Sequence, residues 1–357
     1  MRAMVLHNRS LSIQELPTPE PKEGQVLARV LACGICGSDL HMANYMDDMI
    51  EASKVSGRTP WDDLRPESAV VMGHEFVAEI VRTGPGIEDW QPGDRVTSVP
   101  ALPDPDAPNG IHTLGYTPGI PGAYGEYILL GASILLRVAD HLPDTIAATT
   151  EPCAVGLHTV RQSGIQAGDT ALVMGAGPIG LMVLLWLKKE GVRFVAVSDP
   201  SAERRELATK LGADLVVDPR AESVTTRVGE ALQSAATGSS ASTRPGTPQP
   251  DVVFECVGVP GTLQQALEYV RARGQVVVAG VCMEQDRVRP MVGTNKHLTV
   301  RFVLGYSPNE YAEALEALAD GSIDPSPMVT RTVTLDQLPE AFRSLADPRD
   351  CKVVLVP

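Results

Sequence analysis

The sequence predicts an α/β protein in which a doubly wound parallel sheet is joined to a mainly β region. The first observation is a glycine-rich turn between two short apolar runs in residues 170–200. The second is an alternation of apolar runs and helical segments up to about residue 280, which is typical of a parallel sheet covered by helices. The third is a series of short β-like runs, separated by proline and glycine, before residue 140. A chain of 357 residues also favours two domains.

The composition excludes several classes of partner. The formal net charge is −14 and no basic stripe offsets it, which argues against a nucleic acid or an anionic membrane as partner. The apolar run 181–187 is too short to cross a bilayer, and the amino-terminal residues lack the apolar core of a secretory signal. Six scattered cysteines suggest no disulfide framework. We therefore predict a cytoplasmic protein with neither a membrane nor a nucleic acid as partner.

The amino-terminal region contains the first group of chemically interesting residues. Short strands are predicted at Ala3–Leu6 and Gln25–Leu31, and the segment Cys33–His41 follows with the sequence CGICGSDLH. A C-x-x-C pair is compatible with a redox pair, with part of a zinc site, or with two small buried thiols. The sequence has no second C-x-x-C, which excludes a zinc site built from two such knuckles.

A second group follows the segment 42–70, which we predict to be an irregular loop, either beside a site or as a surface insertion. His74 and Glu75 then stand between strand-like runs at 70–72 and 76–81. A lone histidine is more often structural than a ligand. Thiolate, imidazole and carboxylate are nevertheless the ligand types that zinc prefers, so an upstream cysteine favours a metal site.

Glu151 stands just in front of an apolar helix predicted at 154–163. A glutamate at this position commonly complements the positive end of the helix dipole. It is also a possible third metal ligand, and only the upstream cysteine and histidine favour that second interpretation.

The glycine turn is typical of dinucleotide binding. Gly175 permits the tight turn, Gly177 allows a pyrophosphate to approach the backbone, and Gly180 allows the helix to pack on the strand. The helix then offers free N–H groups to the phosphates. Asp199 ends the next strand about 20 residues after the last glycine, where a carboxylate can bind the ribose hydroxyls. Its charge favours NAD over NADP, although Arg204 lies close behind.

The rest of the chain repeats the strand and helix pattern. The segment 236–250 has low complexity, and we predict a mobile surface loop without a catalytic role. Further elements are predicted as helices at 202–211, 223–235 and 263–273, and as strands at 215–217, 252–256 and 275–279.

Taken together, three motifs resemble those of the zinc-dependent medium-chain alcohol dehydrogenases, and the resemblance extends along the whole chain. They are Gly34–His41, Gly73–Glu75 and Gly175–Gly180. Within this family, the Glu151-Pro152 pair in front of the helix resembles the pattern of the branch that contains the polyol, sorbitol and 2,3-butanediol dehydrogenases.

The resemblance implies a fold with a Rossmann-type sheet and a mainly β catalytic domain of GroES-like type. The dinucleotide-binding domain would span residues 156–297. The catalytic zinc domain would be discontinuous and would comprise residues 1–155 and 298–357.

The resemblance also implies a metal site. Cys36, His74 and Glu151 would bind the catalytic zinc, with Glu75 as an alternative ligand and Asp39 orienting the histidine. Many family members carry a four-cysteine structural zinc site near residues 100–120, but this segment has no cysteine here. We therefore expect one zinc per chain.

The resemblance further implies the catalytic and cofactor-binding residues. Ser38 would take the alcohol proton and pass it through the nicotinamide ribose to His41, while Glu75 would take part in catalysis at the metal. The residues expected to bind the dinucleotide are Gly175, Gly177, Pro178, Ile179, Gly180, Asp199, Arg204 and Val257.

The expected function is the reversible, NAD-dependent oxidation of a secondary alcohol, a vicinal diol or polyol, to a ketone. A threonine-type or cyclic-alcohol dehydrogenase is the alternative among enzymes, and a non-catalytic dinucleotide-binding protein is the alternative from another class. The family resemblance implies a homodimer or homotetramer.

Overall fold

A computed structural model describes residues 1–57, 64–107, 110–235, 247–345 and 349–357. Its strands are β1 (Arg2–His7), β2 (Ser10–Glu15), β3 (Gln25–Gly34), β4 (Val70–Val71), β5 (Glu75–Thr83), β6 (Arg95–Thr97), β7 (Ala101–Pro103), β8 (Ile111–Thr113), β9 (Tyr127–Gly131), β10 (Leu136–Arg137), β11 (Thr170–Met174), β12 (Phe194–Ser198), β13 (Leu215–Val217), β14 (Val252–Glu255), β15 (Gln275–Val278), β16 (Thr299–Phe302), β17 (Val329–Val333) and β18 (Lys352–Leu355). Its α-helices are α1 (Gly37–Ser56), α2 (Asp144–Ala147), α3 (Thr150–Ser163), α4 (Pro178–Lys189), α5 (Ala202–Lys210), α6 (Val224–Ala235), α7 (Thr262–Tyr269), α8 (Pro290–Lys296), α9 (Pro308–Ala319) and α10 (Leu338–Ser344).

The chain divides into two compact units. The first comprises Met1–Glu151, Tyr311–Gly321 and Val329–Pro357. The second comprises Pro152–Glu310 and Ser322–Met328. Both units are therefore discontinuous in sequence.

The first unit is mainly β, as the sequence predicted. Its largest sheet has the strand order β10-β6-β5-β3-β18-β17, with β9 also paired to β3. The long central strand β3 is nearly all apolar and buried, and it pairs antiparallel with both β5 and β18. This register sets Gly34 opposite Glu75 on one side and Val354 on the other. A Cβ at Gly34 would lie 2.0 Å from Glu75 Oε2, so only glycine leaves room for that carboxylate.

The second unit confirms the predicted doubly wound sheet. Six strands pair in parallel in the order β13-β12-β11-β14-β15-β16, which is the order of a Rossmann sheet. The central strands β11 and β12 are buried along their whole length, as expected for strands covered on both faces. The apolar runs flanking the glycine turn thus become β11, α4 and β12.

The predicted loop 42–70 is wrong over its first part, because α1 extends to Ser56. Met42, Met46, Met49 and Ser53 are buried at spacings of three and four residues, which places them on one face of the helix. Methionines on a largely polar helix carry a weak periodic signal, which explains the error. Residues 58–63 of this segment, and residues 236–246 of the predicted low-complexity loop, lie outside the described residues. Within the described residues, the longest and most apolar helices fall short of what a membrane span requires.

Candidate functional site

Cys36, His74 and Glu75 form a cluster of possible metal ligands in the first unit. One ligand atom from each lies within 4.8 Å of the others. Cys36 is the residue before α1, while His74 immediately precedes β5 and Glu75 begins it. His74 and Glu75 are buried, and Cys36 is half-buried. A sulfur, an imidazole nitrogen and a carboxylate oxygen suit zinc.

The buried Asp39 carboxylate contacts both Cys36 and His74 of this cluster. Its Oδ2 accepts hydrogen bonds from the Cys36 N–H at 3.0 Å and from the Tyr124 hydroxyl at 2.6 Å. Its Oδ1 lies 3.4 Å from His74 Nδ1, which leaves Nε2 of that ring for a metal. Burial alone would raise the pKa of Asp39, but His74, Tyr124 and the Cys36 N–H together lower it. The carboxylate thus bonds the Cys36 amide and the Tyr124 hydroxyl through one oxygen, while its other oxygen faces the His74 ring.

Glu75 has a buried cation as partner. Lys352 Nζ lies 2.7 Å from Glu75 Oε2 and 2.8 Å from Oε1, and it also donates to the Ile35 carbonyl at 3.0 Å. Burial by itself would lower the pKa of Lys352, but the Glu75 carboxylate raises it above its ordinary value. No local sequence pattern indicates this pair, because a lysine in an apolar carboxyl-terminal strand is usually an edge residue.

Glu151 lies outside the cluster defined by the 4.8 Å distances, among the residues that the structure describes. It is buried in the first turn of α3. Burial raises the pKa of Tyr311, and the carboxylates of Glu151 and Glu75 raise it further, so both lie within electrostatic range of this hydroxyl. The next cysteine along the chain, Cys153, has its pKa raised to about 12 by burial, which disfavours the thiolate that a metal requires.

Ser38 and His41 lie in the first two turns of α1. The Ser38 hydroxyl is 2.7 Å from the Tyr116 hydroxyl, and the Tyr116 ring centroid is 5.2 Å from that of His74. Burial lowers the pKa of His41, whose ring meets Tyr45 edge-on at 6.2 Å. Sequence reasoning missed Tyr116, which lies in a stretch rich in proline and glycine without any local motif.

The glycine turn in the second unit has the geometry that phosphate binding requires. Gly175 has φ +91°, and a Cβ at Gly180 would lie 1.9 Å from the Gly175 carbonyl oxygen. A Cβ at Gly177, by contrast, would meet nothing within 4 Å, so the backbone is open to a ligand there. Pro178 and Ile179 begin α4, and the residue that precedes them, Gly177, has no side chain to cap the helix. The N–H groups of its first turn therefore point toward the space that a pyrophosphate would take.

Asp199 is buried directly after β12. Its Oδ2 accepts a hydrogen bond from the Ala176 N–H and its Oδ1 accepts one from the Ser201 N–H, each at 2.8 Å. These bonds tie the carboxylate to the glycine turn and leave further lone pairs for a ribose. Arg204 lies in the first turn of α5, and its buried Nε has no hydrogen-bond partner among the described residues.

Val257 follows β14 and is exposed. Its N–H and that of Gly258 donate to Glu255 Oε1 at 2.8 and 3.0 Å. Glu255 is almost fully buried, and its Oε2 would lie 2.5 Å from a Cβ at Gly280. The Glu255 carboxylate thus fixes the loop that carries Val257, and no local sequence motif indicates this role.

Comparisons with known proteins agree with this architecture. Residues 22–140 match the profile described as an alcohol dehydrogenase GroES-like domain, and residues 178–320 match that of a zinc-binding dehydrogenase. The (R,R)-butanediol dehydrogenase of Bacillus subtilis (strain 168) is 32% identical over 364 residues, covering 100% of this chain and 99% of that protein. The sorbitol dehydrogenase of the same strain is 30% identical, with 100% and 97% covered.

A solved structure has the same fold. A zinc-binding dehydrogenase structure from Sinorhizobium meliloti 1021, bound to NADP, superposes with a TM-score of 0.82 at 28% identity, covering 100% of this chain and 99% of that one. Both family profiles, the full-length relatives and the fold lead to one assignment. The chain belongs to the zinc-dependent medium-chain alcohol dehydrogenases and is an oxidoreductase.

Proposed function

We propose that this protein reversibly oxidises a secondary alcohol, a vicinal diol or a polyol, to a ketone with NAD. The cluster of Cys36, His74 and Glu75 carries the proposal, because its donor types suit zinc and Ser38 lies two residues from Cys36. The names of the butanediol and sorbitol dehydrogenases that this chain resembles support the diol or polyol class. Membership of the family implies both zinc and a nicotinamide dinucleotide.

The metal ligands that we propose are Cys36, His74 and Glu151, with one zinc per chain. The Asp39 carboxylate lies 3.4 Å from His74 Nδ1, so Nε2 is the ring nitrogen that remains to bind a metal. Glu75 shares its charge with Lys352, so we assign it as the alternative ligand. When bound, zinc supplies a Lewis acid that lowers the cost of removing the hydroxyl proton of the alcohol.

The chain's own residues then move the proton. Ser38 accepts the alcohol proton at Oγ and releases its own hydrogen toward solvent, with His41 as the final acceptor. The lowered pKa of His41 suits this role, because a neutral imidazole can take up a proton.

The dinucleotide site that we propose uses the glycine turn for the pyrophosphate and Asp199 for the ribose. A carboxylate at this position repels a 2′-phosphate, which favours NAD. The NADP in the Sinorhizobium meliloti structure is a reason to test both cofactors. Arg204 and Val257 complete the proposed contacts, on the adenosine and nicotinamide sides respectively.

We propose a homodimer or homotetramer formed through β16. This strand pairs only with β15 among the described residues, and it carries the exposed side chains of Val300 and Phe302 on one face, with the exposed Leu304 after it. An uncovered apolar edge strand is suited to pair with a second copy of itself. Light scattering should then give two or four times 38.0 kDa, and Phe302→Glu should lower that mass.

We also propose a cytoplasmic location, which the six free thiols support.

The proposed activity is tested by zinc content and an alcohol panel. Inductively coupled plasma mass spectrometry should find about one zinc per chain, as expected for a catalytic site with three protein ligands and an open fourth position. Vicinal diols and polyols should be oxidised faster than threonine or cyclic alcohols, with NAD above NADP. Cys36→Ser should remove both zinc and turnover, whereas Cys153→Ala should retain both. Zinc and turnover that both survive Cys36→Ser would contradict the proposal, and cofactor binding without any turnover would favour a non-catalytic role.

A further inference from the structure

We infer that Tyr116 is a positioning residue, which fixes the Ser38 hydroxyl for proton transfer from the alcohol. The inference rests on the proposed function, in which Ser38 accepts that proton. The two hydroxyl oxygens are 2.7 Å apart, a normal length for an O–H···O hydrogen bond. Tyr116 is buried and Ser38 is half-buried, so this bond is largely shielded from water.

A serine at the start of a helix has several staggered rotamers available, and a single hydrogen-bond partner can select one. Tyr116 is itself well held. Gly115 before it has φ +82°, and a Cβ there would lie 3.0 to 3.2 Å from the Gly73 backbone. The loop thus packs directly on the residue before His74. The Tyr116 ring then lies against the His74 ring at an interplanar angle of 38°. The tyrosine is therefore fixed relative to both His74 and Ser38.

The hydrogen-bonding capacity of a hydroxyl explains why this matters. Ser38 has one hydrogen to donate and two lone pairs to accept with. If Tyr116 donates to one lone pair, the other remains for the incoming alcohol proton, and the serine hydrogen points to the next acceptor in the relay. In the transfer, the alcohol O–H bond breaks and a new Oγ–H bond forms, while the original Ser38 hydrogen leaves. Tyr116 keeps its own proton, and Ser38 begins and ends neutral.

The first test is a double-mutant cycle in the zinc-loaded enzyme. Tyr116→Phe keeps the ring on His74 and removes the hydroxyl, so kcat for the best alcohol should fall by about three- to tenfold, with KM changed less. In Ser38→Ala, kcat should fall further. The double variant should match Ser38→Ala, because the Tyr116 hydroxyl then has nothing to position. Tyr127→Phe, half-buried at the start of β9, is the matched control and should leave kcat unchanged.

The second test needs no turnover. Crystal structures of the zinc-loaded enzyme should show one Ser38 rotamer in the natural protein and a changed or mixed rotamer in Tyr116→Phe. The inference would be overturned if kcat did not change in Tyr116→Phe. It would also be overturned if the loss of kcat in the double variant equalled the product of the losses in the two single variants. If the natural protein oxidised no alcohol, the proposed function would fail. The positioning of Ser38 would still be tested by the crystal structures, and the same single Ser38 rotamer in Tyr116→Phe as in the natural protein would overturn it.

Discussion

Lys352 and Glu75 form a buried ion pair in which the ammonium lies 2.7 Å from one carboxylate oxygen and 2.8 Å from the other. Both side chains are at most 2% exposed. This pair gives the Glu75 carboxylate a cationic partner inside the protein. Among the described residues, Glu151, the other candidate carboxylate ligand, lies outside the cluster of close ligand atoms that contains Glu75.

We predict that Lys352→Met destabilises the metal-free protein by about 3 kcal/mol, because removing one partner of a buried pair leaves an uncompensated charge. Zinc should restore more of the free energy of unfolding in the variant than in the natural protein, since the released Glu75 carboxylate becomes available to the metal. Urea unfolding with a chelator and with added zinc measures both effects.

The control for this prediction is Lys188→Met. Lys188 pairs with Asp214 at 3.0 Å, but both side chains are about one-third exposed. A surface pair contributes about 0–1 kcal/mol, so this variant should lose little and respond normally to zinc. Equal losses in the two lysine variants would contradict a special role for the buried pair.

The Tyr124 hydroxyl should affect zinc retention through Asp39. It lies 2.6 Å from Asp39 Oδ2, and the other oxygen of that carboxylate faces His74. Tyr124→Phe should therefore speed zinc loss to a chelator by about tenfold, near the lower end of the range for residues that support metal ligands. The release of zinc can be followed with a colorimetric chelator. Tyr269→Phe in the second unit is the control, and a rate equal to that control would show that Asp39 holds its position without Tyr124.

The sequence predicted the second unit well because its signals are local. The apolar runs on the two sides of the glycine turn form β11 (Thr170–Met174) and α4 (Pro178–Lys189), and β12 (Phe194–Ser198) ends directly before Asp199. Each depends on neighbours in sequence, such as the carbonyl of Gly175 that excludes a side chain from Gly180. A glycine turn between apolar runs therefore carries most of its structural information within about 30 residues.

The first unit was less predictable because its contacts join distant parts of the chain. The Glu75–Lys352 pair spans 277 positions, and the Ser38–Tyr116 bond spans 78. The motif residues Cys36 and His74 could be chosen by type, but no local pattern indicates which cation or hydroxyl reaches them. Only the strand register, with Gly34 between Glu75 and Val354, brings β18 to the cluster.

Asp199 should determine the choice between NAD and NADP. We predict that Asp199→Ser raises the NADP to NAD ratio of kcat/KM by about tenfold, because it removes a charge that repels the 2′-phosphate while retaining a short polar side chain. Steady-state kinetics with both cofactors measure this ratio. Asp214→Asn is the control, since Asp214 bonds the Val195 N–H at the opposite end of β12. A ratio that stays the same in Asp199→Ser would mean that other residues set the preference.

Asp251 should stabilise the second unit in a pH-dependent way. Its Oδ2 accepts from the Thr170 N–H at 2.8 Å and from the Thr170 hydroxyl at 2.7 Å, while Oδ1 accepts from Arg271 Nε at 2.6 Å. The carboxylate thus ties the start of β11 to the segment after α7. Asp251→Ala should lower the free energy of unfolding by about 2 kcal/mol at pH 7, because it leaves these donors without their acceptor.

The pH dependence follows from the pKa of Asp251. Burial alone would raise this pKa, but the bonds from Arg271 and Thr170 lower it below the ordinary value. Its stabilising contribution is therefore complete above the unfolded-state pKa of about 3.9 and is lost as the pH falls through the lower, folded-state pKa. The penalty of Asp251→Ala should be the same at pH 7 and pH 5 and should shrink below about pH 4. Calorimetric unfolding at these pH values measures it, with the exposed Asp89→Ala as control. A penalty that stayed constant down to pH 3 would mean that the carboxylate acts by its shape rather than by its charge.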